Sequence, residues 1–353
     1  MDEALRAARR AAASGDPEAA QAYGAALARS DLGALEELLR ADPADEAAWG
    51  AWADRLGEDP RAPFARQEGP PLRLGHAETA PELRAEIQLA PERWLGPLAG
   101  KHGPTANRLL WQRGYWHTLT NYTRSRPLEW WEAALSHESA RFLRHLAVRW
   151  LPPEQTRALL LRHRPPLRWL HWQEETEAPV ALEEVMEALP WLEELRLWVQ
   201  ASARSGWRWP RLRALSLNIC FDHGLPDDLA AAAPGGAFAP LEELQLYTGF
   251  DHELAPVLSA LLADTPRLRA LTVLGGNRVE PLCEAIAASG ALARLDSLHV
   301  CAATFTPALE RAWVEQLEAR PEPLAKLHAE VYGLSAAGRA RLRECAREVY
   351  VQD

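Results

Sequence analysis

The stretch LEELRLW at Leu192–Trp198 contains the pattern L-x-x-L-x-L, which returns as LRALSLN at Leu212–Asn218 and LEELQLY at Leu241–Tyr247. Looser copies of the pattern occur at Leu143–Arg149, Leu167–Gln173, Leu268–Leu274, Leu295–Cys301 and Leu324–Glu330. The first leucines of successive copies lie 20 to 29 residues apart. A short apolar phrase that recurs at such a spacing predicts a solenoid, in which each repeat adds one strand to a growing sheet.

The leucine pattern and the repeat length together resemble the leucine-rich repeat. We therefore predict an α/β fold with a curved parallel β-sheet, helices on its convex side, and a small all-α domain before it. Within each phrase the leucines should point inward and the third, fifth and seventh residues outward, because side chains alternate along a strand. The repeats are irregular, since the usual Asn or Cys after the strand is found only at Cys220.

Residues 1–92 carry the signals of a helical domain. Asp16, Asp31 and Asp45 each precede a segment with apolar residues at helical spacing, as N-cap residues do. We assign residues 93–142 to a linker with a capping strand and helix, and residues 143–333 to the repeats. Residues 334–353 read as a C-terminal capping helix, because Leu342, Cys345 and Val349 recur at helical spacing.

The stretch Ala41–Glu68 (ADPADEAAWGAWADRLGEDPRAPFARQE) resembles the repeat-companion module of bacterial leucine-rich-repeat proteins. The matching positions are Asp42-Pro43, Asp45, Ala53-Asp54, Leu56, Asp59-Pro60-Arg61-Ala62, Phe64, Arg66 and Gln67. Trp52 and Arg55 depart from the module's pattern, which has Tyr and Trp at these positions. The resemblance implies an architecture and brings no catalytic residue with it.

The composition excludes some classes of partner. A net charge of -10 without a run of Lys or Arg is unlike a nucleic-acid-binding protein. No apolar stretch is long enough to span a bilayer, and the charged segment at residues 1–12 is unlike a signal peptide. The four cysteines show neither close pairing nor C-x-x-C spacing. We therefore expect a cytoplasmic protein that binds neither nucleic acid nor a membrane.

Outward positions in the N-terminal half of the repeats are rich in aromatic and arginine side chains. Such residues dominate binding energy at protein interfaces. The candidate binding residues on the concave face are Arg149, Trp169, His171, Arg196, Trp198, Gln245 and Tyr247. The alternative interpretation is that another part of the chain folds over these residues and buries them.

The C-terminal half of the same face holds candidate metal ligands. His299 and His328 occupy equal positions of neighbouring repeats, and Cys301 and Glu330 follow them. Imidazole, thiolate and carboxylate groups are the usual ligands of zinc. The ordinary alternative is a polar surface without a metal, and no cofactor is expected on that interpretation.

The leading functional hypothesis is a non-catalytic scaffold that binds a protein or peptide on its concave face. The acidic chain favours a neutral or basic partner. A second hypothesis is a substrate-recognition subunit of a separate enzyme. A third is a metal-dependent enzyme with its site at the four residues above, since the chain lacks known nucleophile and phosphate-loop motifs.

Overall fold

The computed structural model describes residues 3–67, 69–73, 81–99, 109–121, 126–173, 180–198, 201–204, 206–218, 225–247, 254–275 and 279–352. Cys220 lies outside these ranges. The chain divides into two compact units. The first comprises Met1–Ala147 and His163–Leu167, and the second Val148–Arg162 and Arg168–Asp353.

The first unit is largely helical, as the sequence predicts. Its helices are α1 (Glu3–Ala12), α2 (Pro17–Arg29), α3 (Leu32–Ala41), α4 (Glu46–Leu56), α5 (Ala62–Ala65), α6 (Pro81–Leu89), α7 (Pro91–Leu95) and α8 (Leu128–Ser136). Its strands are β1 (Leu72–Arg73), β2 (Leu110–Gln112), β3 (Tyr115–Thr120) and the start of β4 (His145–Arg149). The all-α N-terminal region that the sequence predicts is present in α1 to α5, and after it the two-residue strand β1 pairs antiparallel with β2.

The predicted N-caps are present in the first unit. Asp16, Asp31 and Asp45 each accept a hydrogen bond from a backbone N–H in the first turn of α2, α3 and α4. The carboxylate of Asp45 also accepts from the Tyr23 hydroxyl at 2.6 Å. This second contact joins α2 to the start of α4, so one acid both caps a helix and fixes its neighbour.

The stretch that resembles the repeat-companion module folds into α4 and α5. Arg61 lies between the end of α4 and the start of α5, and its side chain is only 1% exposed. Its guanidinium donates to the Arg93 carbonyl at 3.0 Å and to the Ser139 hydroxyl at 3.1 Å, and lies 4.9 Å from the centre of the Trp94 ring. A buried arginine needs such partners because its charge cannot be left without compensation. The Asp-Pro-Arg-Ala motif thus has a structural role in the first unit.

The second unit alternates strands with helices. Its strands are β5 (Trp169–Gln173), β6 (Val180–Ala181), β7 (Glu194–Trp198), β8 (Ala201–Ser202), β9 (Ala214–Asn218), β10 (Glu243–Tyr247), β11 (Ala270–Leu274), β12 (Ser297–Thr304), β13 (Leu324–Tyr332) and β14 (Ala346–Gln352). Its helices are α9 (Pro153–His163), α10 (Glu183–Ala188), α11 (Leu225–Ala232), α12 (Ala255–Asp264), α13 (Glu280–Ala288), α14 (Pro307–Glu318) and α15 (Ala336–Glu344).

The sheet of the second unit is parallel and follows chain order, β5-β7-β9-β10-β11-β12-β13-β14. Equal positions of the leucine phrases face one another, as Leu195, Leu215 and Leu244 do across β7, β9 and β10. The short strands β6 and β8 form a separate parallel pair. The parallel α/β architecture that the sequence predicts is confirmed.

Burial follows the alternation that the strands impose. The leucines at the first, fourth and sixth positions of the phrases are at most 3% exposed, and most third, fifth and seventh residues are half-buried. We call the side of the sheet that carries these third, fifth and seventh residues the variable face. Each helix of the unit also contributes buried apolar side chains, such as Leu258 and Leu261 from α12. The buried strand and helix residues together form the core of the unit.

Two further segments test the sequence-based assignments. The 20 residues from Leu192 to Leu212 are the shortest interval between first leucines and leave little room for a helix. The described residues there contain β7 and β8 but no helix. The capping helix predicted over residues 334–353 is wrong in its second half. Helix α15 ends at Glu344, and the strand β14 pairs parallel with β13. Among the described helices, none has the length and apolar character needed to cross a bilayer.

Candidate functional site

The N-terminal half of the variable face carries a continuous group of rings and cations. We call it the aromatic–arginine cluster, and it consists of Arg149, Trp169, His171, Arg196, Trp198 and Tyr247. Its members lie on β4, β5, β7 and β10, where parallel pairing brings equal positions together. His171 is paired with Arg196, for example, and Gln173 with Trp198.

The rings of the cluster contact one another in sequence. The His171 ring lies 5.9 Å from the Trp169 ring and 5.8 Å from the Trp198 ring, centre to centre. Trp198 in turn lies 5.2 Å from Tyr247, and the Arg196 guanidinium lies 5.7 Å from the centre of the Trp169 ring. These separations are in the range of favourable aromatic and cation–π contacts.

Small side chains on β9 explain how rings two strands apart can meet. Strand β9 lies between β7 and β10, and it places Ala214, Ser216 and Asn218 on the variable face. Neighbouring strands are about 4.8 Å apart, so Trp198 and Tyr247 must lean across β9 to come into contact. Ser216 is only 5% exposed, which is what larger neighbours on both sides would produce.

His171 differs from the sequence-based expectation in its exposure. It lies on the predicted face but is only 5% exposed, because the surrounding side chains cover it. Burial, with the charges of Arg149 and Arg196 nearby, lowers the pKa of His171 to about 4. The imidazole is therefore neutral at physiological pH, and the positive charge of the cluster belongs to the two arginines.

Not every predicted binding residue joins the cluster. Gln245 lies on the variable face opposite Ser216, but its amide donates to the carboxylate of Glu243 and it takes no part in the ring contacts. Arg196 forms an ion pair with Glu194 at 3.0 Å. Because Arg196 and Glu194 are about one-third exposed or more, this pair contributes little to stability and leaves the guanidinium accessible to a ligand.

A second group of polar side chains lies farther along the same face. We call His299, Cys301, His328 and Glu330 the histidine–cysteine cluster. Strands β12 and β13 pair His299 with His328 and Cys301 with Glu330. The two imidazole rings lie 4.0 Å apart, centre to centre. The Cys301 sulfur lies 3.1 Å from Nε2 of His299, and a Glu330 oxygen lies 3.1 Å from Nε2 of His328.

Burial and the Glu330 carboxylate shift the pKa values of the groups in this cluster. Burial, and then the hydrogen bond and charge of Glu330, raise the pKa of the Cys301 thiol to about 12. The pKa of Glu330 is lowered in turn, first by its hydrogen bond with His328 and then by that with Cys301. Burial and the neighbouring His328 lower the pKa of His299. In the absence of a metal the cluster thus consists of a thiol, neutral imidazole at His299 and a carboxylate.

Sequence reasoning missed Tyr350. Its ring lies 4.4 Å from that of His328, because β14 places Tyr350 directly opposite His328. The signal was present in the alternation of Val349 and Val351 with Glu348 and Tyr350, a two-residue period that favours a strand. The helical spacing that continues from α15 masked it.

The sequence matches no model of a known protein family. A search among curated proteins also finds no match.

Proposed function

We propose that this chain is a bacterial leucine-rich-repeat protein with an N-terminal repeat-companion module, and that it acts as a non-catalytic scaffold. The repeat spacing, the buried leucine positions and the parallel register of the second unit support this assignment. So does the structural role of Arg61 in the stretch that resembles the module. A cytoplasmic location is part of the proposal and is supported by the free thiols of Cys283, Cys301 and Cys345.

The aromatic–arginine cluster is the proposed binding site for a protein or peptide. The observation that carries the proposal is a continuous row of rings on a single face of the sheet. Half-buried Trp169 and Trp198 both contact His171, and Trp198 also contacts half-buried Tyr247. Contiguous aromatic surface favours a partner that removes it from water. The arginines beside the rings add donors for the carbonyl or carboxylate groups of a bound chain.

Charge on the variable face supports a neutral partner at this site. From β4 to β14 the basic residues on that face are Arg149, Arg196 and Lys326, and the acidic residues are Glu194, Glu243, Glu330 and Glu348. The three positive and four negative charges sum to -1, so most of the net charge of -10 lies elsewhere on the chain. Long-range attraction by the acidic remainder still favours a partner that is neutral or basic as a whole.

The test is affinity purification from native cells, followed by mass spectrometry, with the double variant Trp198→Ala/Arg196→Ala. The matched control is Trp191→Ala/Arg211→Ala, which also removes a tryptophan and an arginine in contact. The Arg211 guanidinium lies 4.6 Å from the centre of the Trp191 ring, and both residues precede the phrases.

We expect the control to retain the partner and the cluster variant to lose it. For a purified partner, loss of hot-spot side chains should cost at least about 2 kcal/mol, or about 30-fold in Kd. Equal recovery with both variants would show that the binding site is elsewhere. Repeated co-purification with an enzyme would favour a substrate-recognition subunit over a general scaffold.

A further inference from the structure

The histidine–cysteine cluster brings together three potential metal ligands of two chemical kinds. One ligand atom from each of His299, Cys301 and His328 lies within 4.8 Å of the other two. This convergence depends on parallel pairing, because β12 supplies two of the residues and β13 supplies the third. Alternation along β12 places His299 and Cys301 on the same face, two residues apart.

The separations are near those of a tetrahedral site. Zinc–sulfur and zinc–nitrogen bonds of about 2.3 and 2.0–2.1 Å place ligand atoms about 3.5 Å from one another. The distance from the Cys301 sulfur to Nε2 of His299 is 3.1 Å. The side chains are only half-buried. A small movement of these side chains away from one another would therefore make room for an ion.

The surroundings of the cluster also favour a site over a plain polar surface. The register of β12 and β13 shifts between Cys301 and Ala303, so an irregularity in the strand directly follows the cysteine. Such bulges often lie beside functional sites, because they change the direction of a side chain. Tyr350 packs on the His328 ring from β14 and restricts its orientation.

We propose that His299, Cys301 and His328 bind a zinc ion, with the Glu330 carboxylate beside them as its charged neighbour. Thiolate and imidazole ligands select zinc over magnesium or calcium, which prefer oxygen ligands. Three protein ligands leave a fourth position, as in zinc sites that hold a water molecule or a substrate. Glu330 hydrogen-bonds His328 at 3.1 Å. A carboxylate next to a metal-binding imidazole orients the ring and raises its basicity.

The charges of the neighbouring groups are compatible with a dication. A thiolate at Cys301 and the carboxylate of Glu330 together balance the two charges of the ion. Lys326 lies on β13 two residues before His328, and its positive charge acts on His299. A coordinated metal removes the thiol proton outright, which reverses the effect of burial on Cys301.

The experiment uses the full chain without a histidine tag. It measures zinc content after dialysis against a zinc buffer, and the absorbance of the cobalt-substituted protein. The variants are His299→Gln, Cys301→Ser, His328→Gln and Glu330→Gln. The matched control is His163→Gln. The His163 ring also contacts a carboxylate, that of Glu132 at 2.6 Å, but His163 belongs to the first unit and the cluster to the second.

We expect one equivalent of zinc in the wild type and in the control, and a thiolate-to-cobalt charge-transfer band that Cys301→Ser abolishes. Glu330→Gln should weaken zinc binding about 10- to 100-fold, as loss of a residue next to a ligand does. Loss of a ligand at His299 or His328 should weaken it at least as much.

Two results would overturn the proposal: no stoichiometric zinc in the wild type, or full zinc content in a Cys301→Ser/His328→Gln double variant. Trp198→Ala/Arg196→Ala should keep its zinc, so the zinc site and the proposed partner site can fail independently.

Discussion

The hydrogen bond between Trp52 and Tyr115 offers a sharp test of the first unit. Nε1 of Trp52 on α4 donates to the Tyr115 hydroxyl on β3 at 2.9 Å, and the two side chains are 0% and 1% exposed. The change Tyr115→Phe removes one oxygen and keeps the ring. The Phe142 ring, 4.9 Å from that of Tyr115, retains its apolar contact.

The expected loss of stability in Tyr115→Phe follows from the Trp52 N–H, which would remain buried without its acceptor. A buried donor without an acceptor costs about 1 to 3 kcal/mol, whereas the loss of one oxygen removes almost no apolar surface. The free energy of unfolding at neutral pH should therefore fall by about 1 to 3 kcal/mol in Tyr115→Phe.

The difference between wild type and variant should also depend on pH. Burial raises the pKa of Tyr115 from 10.0 to about 12. Because the pKa of Tyr115 is higher in the folded than in the unfolded chain, the unfolded chain loses the phenol proton first as the pH rises. The contribution of Tyr115 to the free energy of unfolding is therefore complete below pH 10 and is lost as the pH rises to 12. At about 1.36 kcal/mol per pKa unit, the wild type loses up to about 2.7 kcal/mol over this window that the variant does not lose.

The assay is guanidinium denaturation of the full chain, followed by tryptophan fluorescence at neutral pH and at several values between pH 10 and 12. The control is Tyr332→Phe, since the Tyr332 side chain is 58% exposed and should change stability by less than about 0.5 kcal/mol. If Tyr115→Phe costs no more than the control at neutral pH, the Trp52 donor finds another acceptor and the reasoning fails.

Two further predictions concern the second unit. Leu244→Ala should destabilise the protein by about 2 to 5 kcal/mol, because Leu244 is fully buried in the middle of the sheet. Gln245→Ala, next along β10 but on the variable face, should cost less than about 0.5 kcal/mol; equal costs in denaturation would contradict the assigned faces. The pKa of His171 lies near 4 instead of 6.5, chiefly through burial and then the charges of Arg149 and Arg196. The contribution of His171 to the free energy of unfolding is therefore complete above pH 6.5. Up to about 3.4 kcal/mol of it should be lost as the pH falls to 4. A His171→Gln variant should lack this part of the acid sensitivity, and an NMR titration midpoint near 6.5 in the wild type would refute the prediction.

The sequence by itself determined where the strands of the leucine phrases lie and which of their faces is buried. Leucines at two-residue spacing require one buried face wherever the segment pairs as a strand, so Leu195, Leu215 and Leu244 could be assigned to the core before any pairing was known. The same reasoning placed Trp198 and His299 on the opposite face. The N-caps at Asp16, Asp31 and Asp45 were equally readable, because capping depends only on residues within one helical turn.

Tertiary structure decided the features that depend on neighbours distant in the chain. Residues 342–351 contain both a helical and a two-residue period, and pairing with β13 selected the strand. The burial of His171 required rings from β5 and β7 and arginines from β4 and β7. Arg61 is buried because Arg93 and Ser139, far along the chain, supply its acceptors. Local sequence restricts the backbone of a few residues, whereas burial and charge compensation are properties of contacts that exist only after the chain has folded.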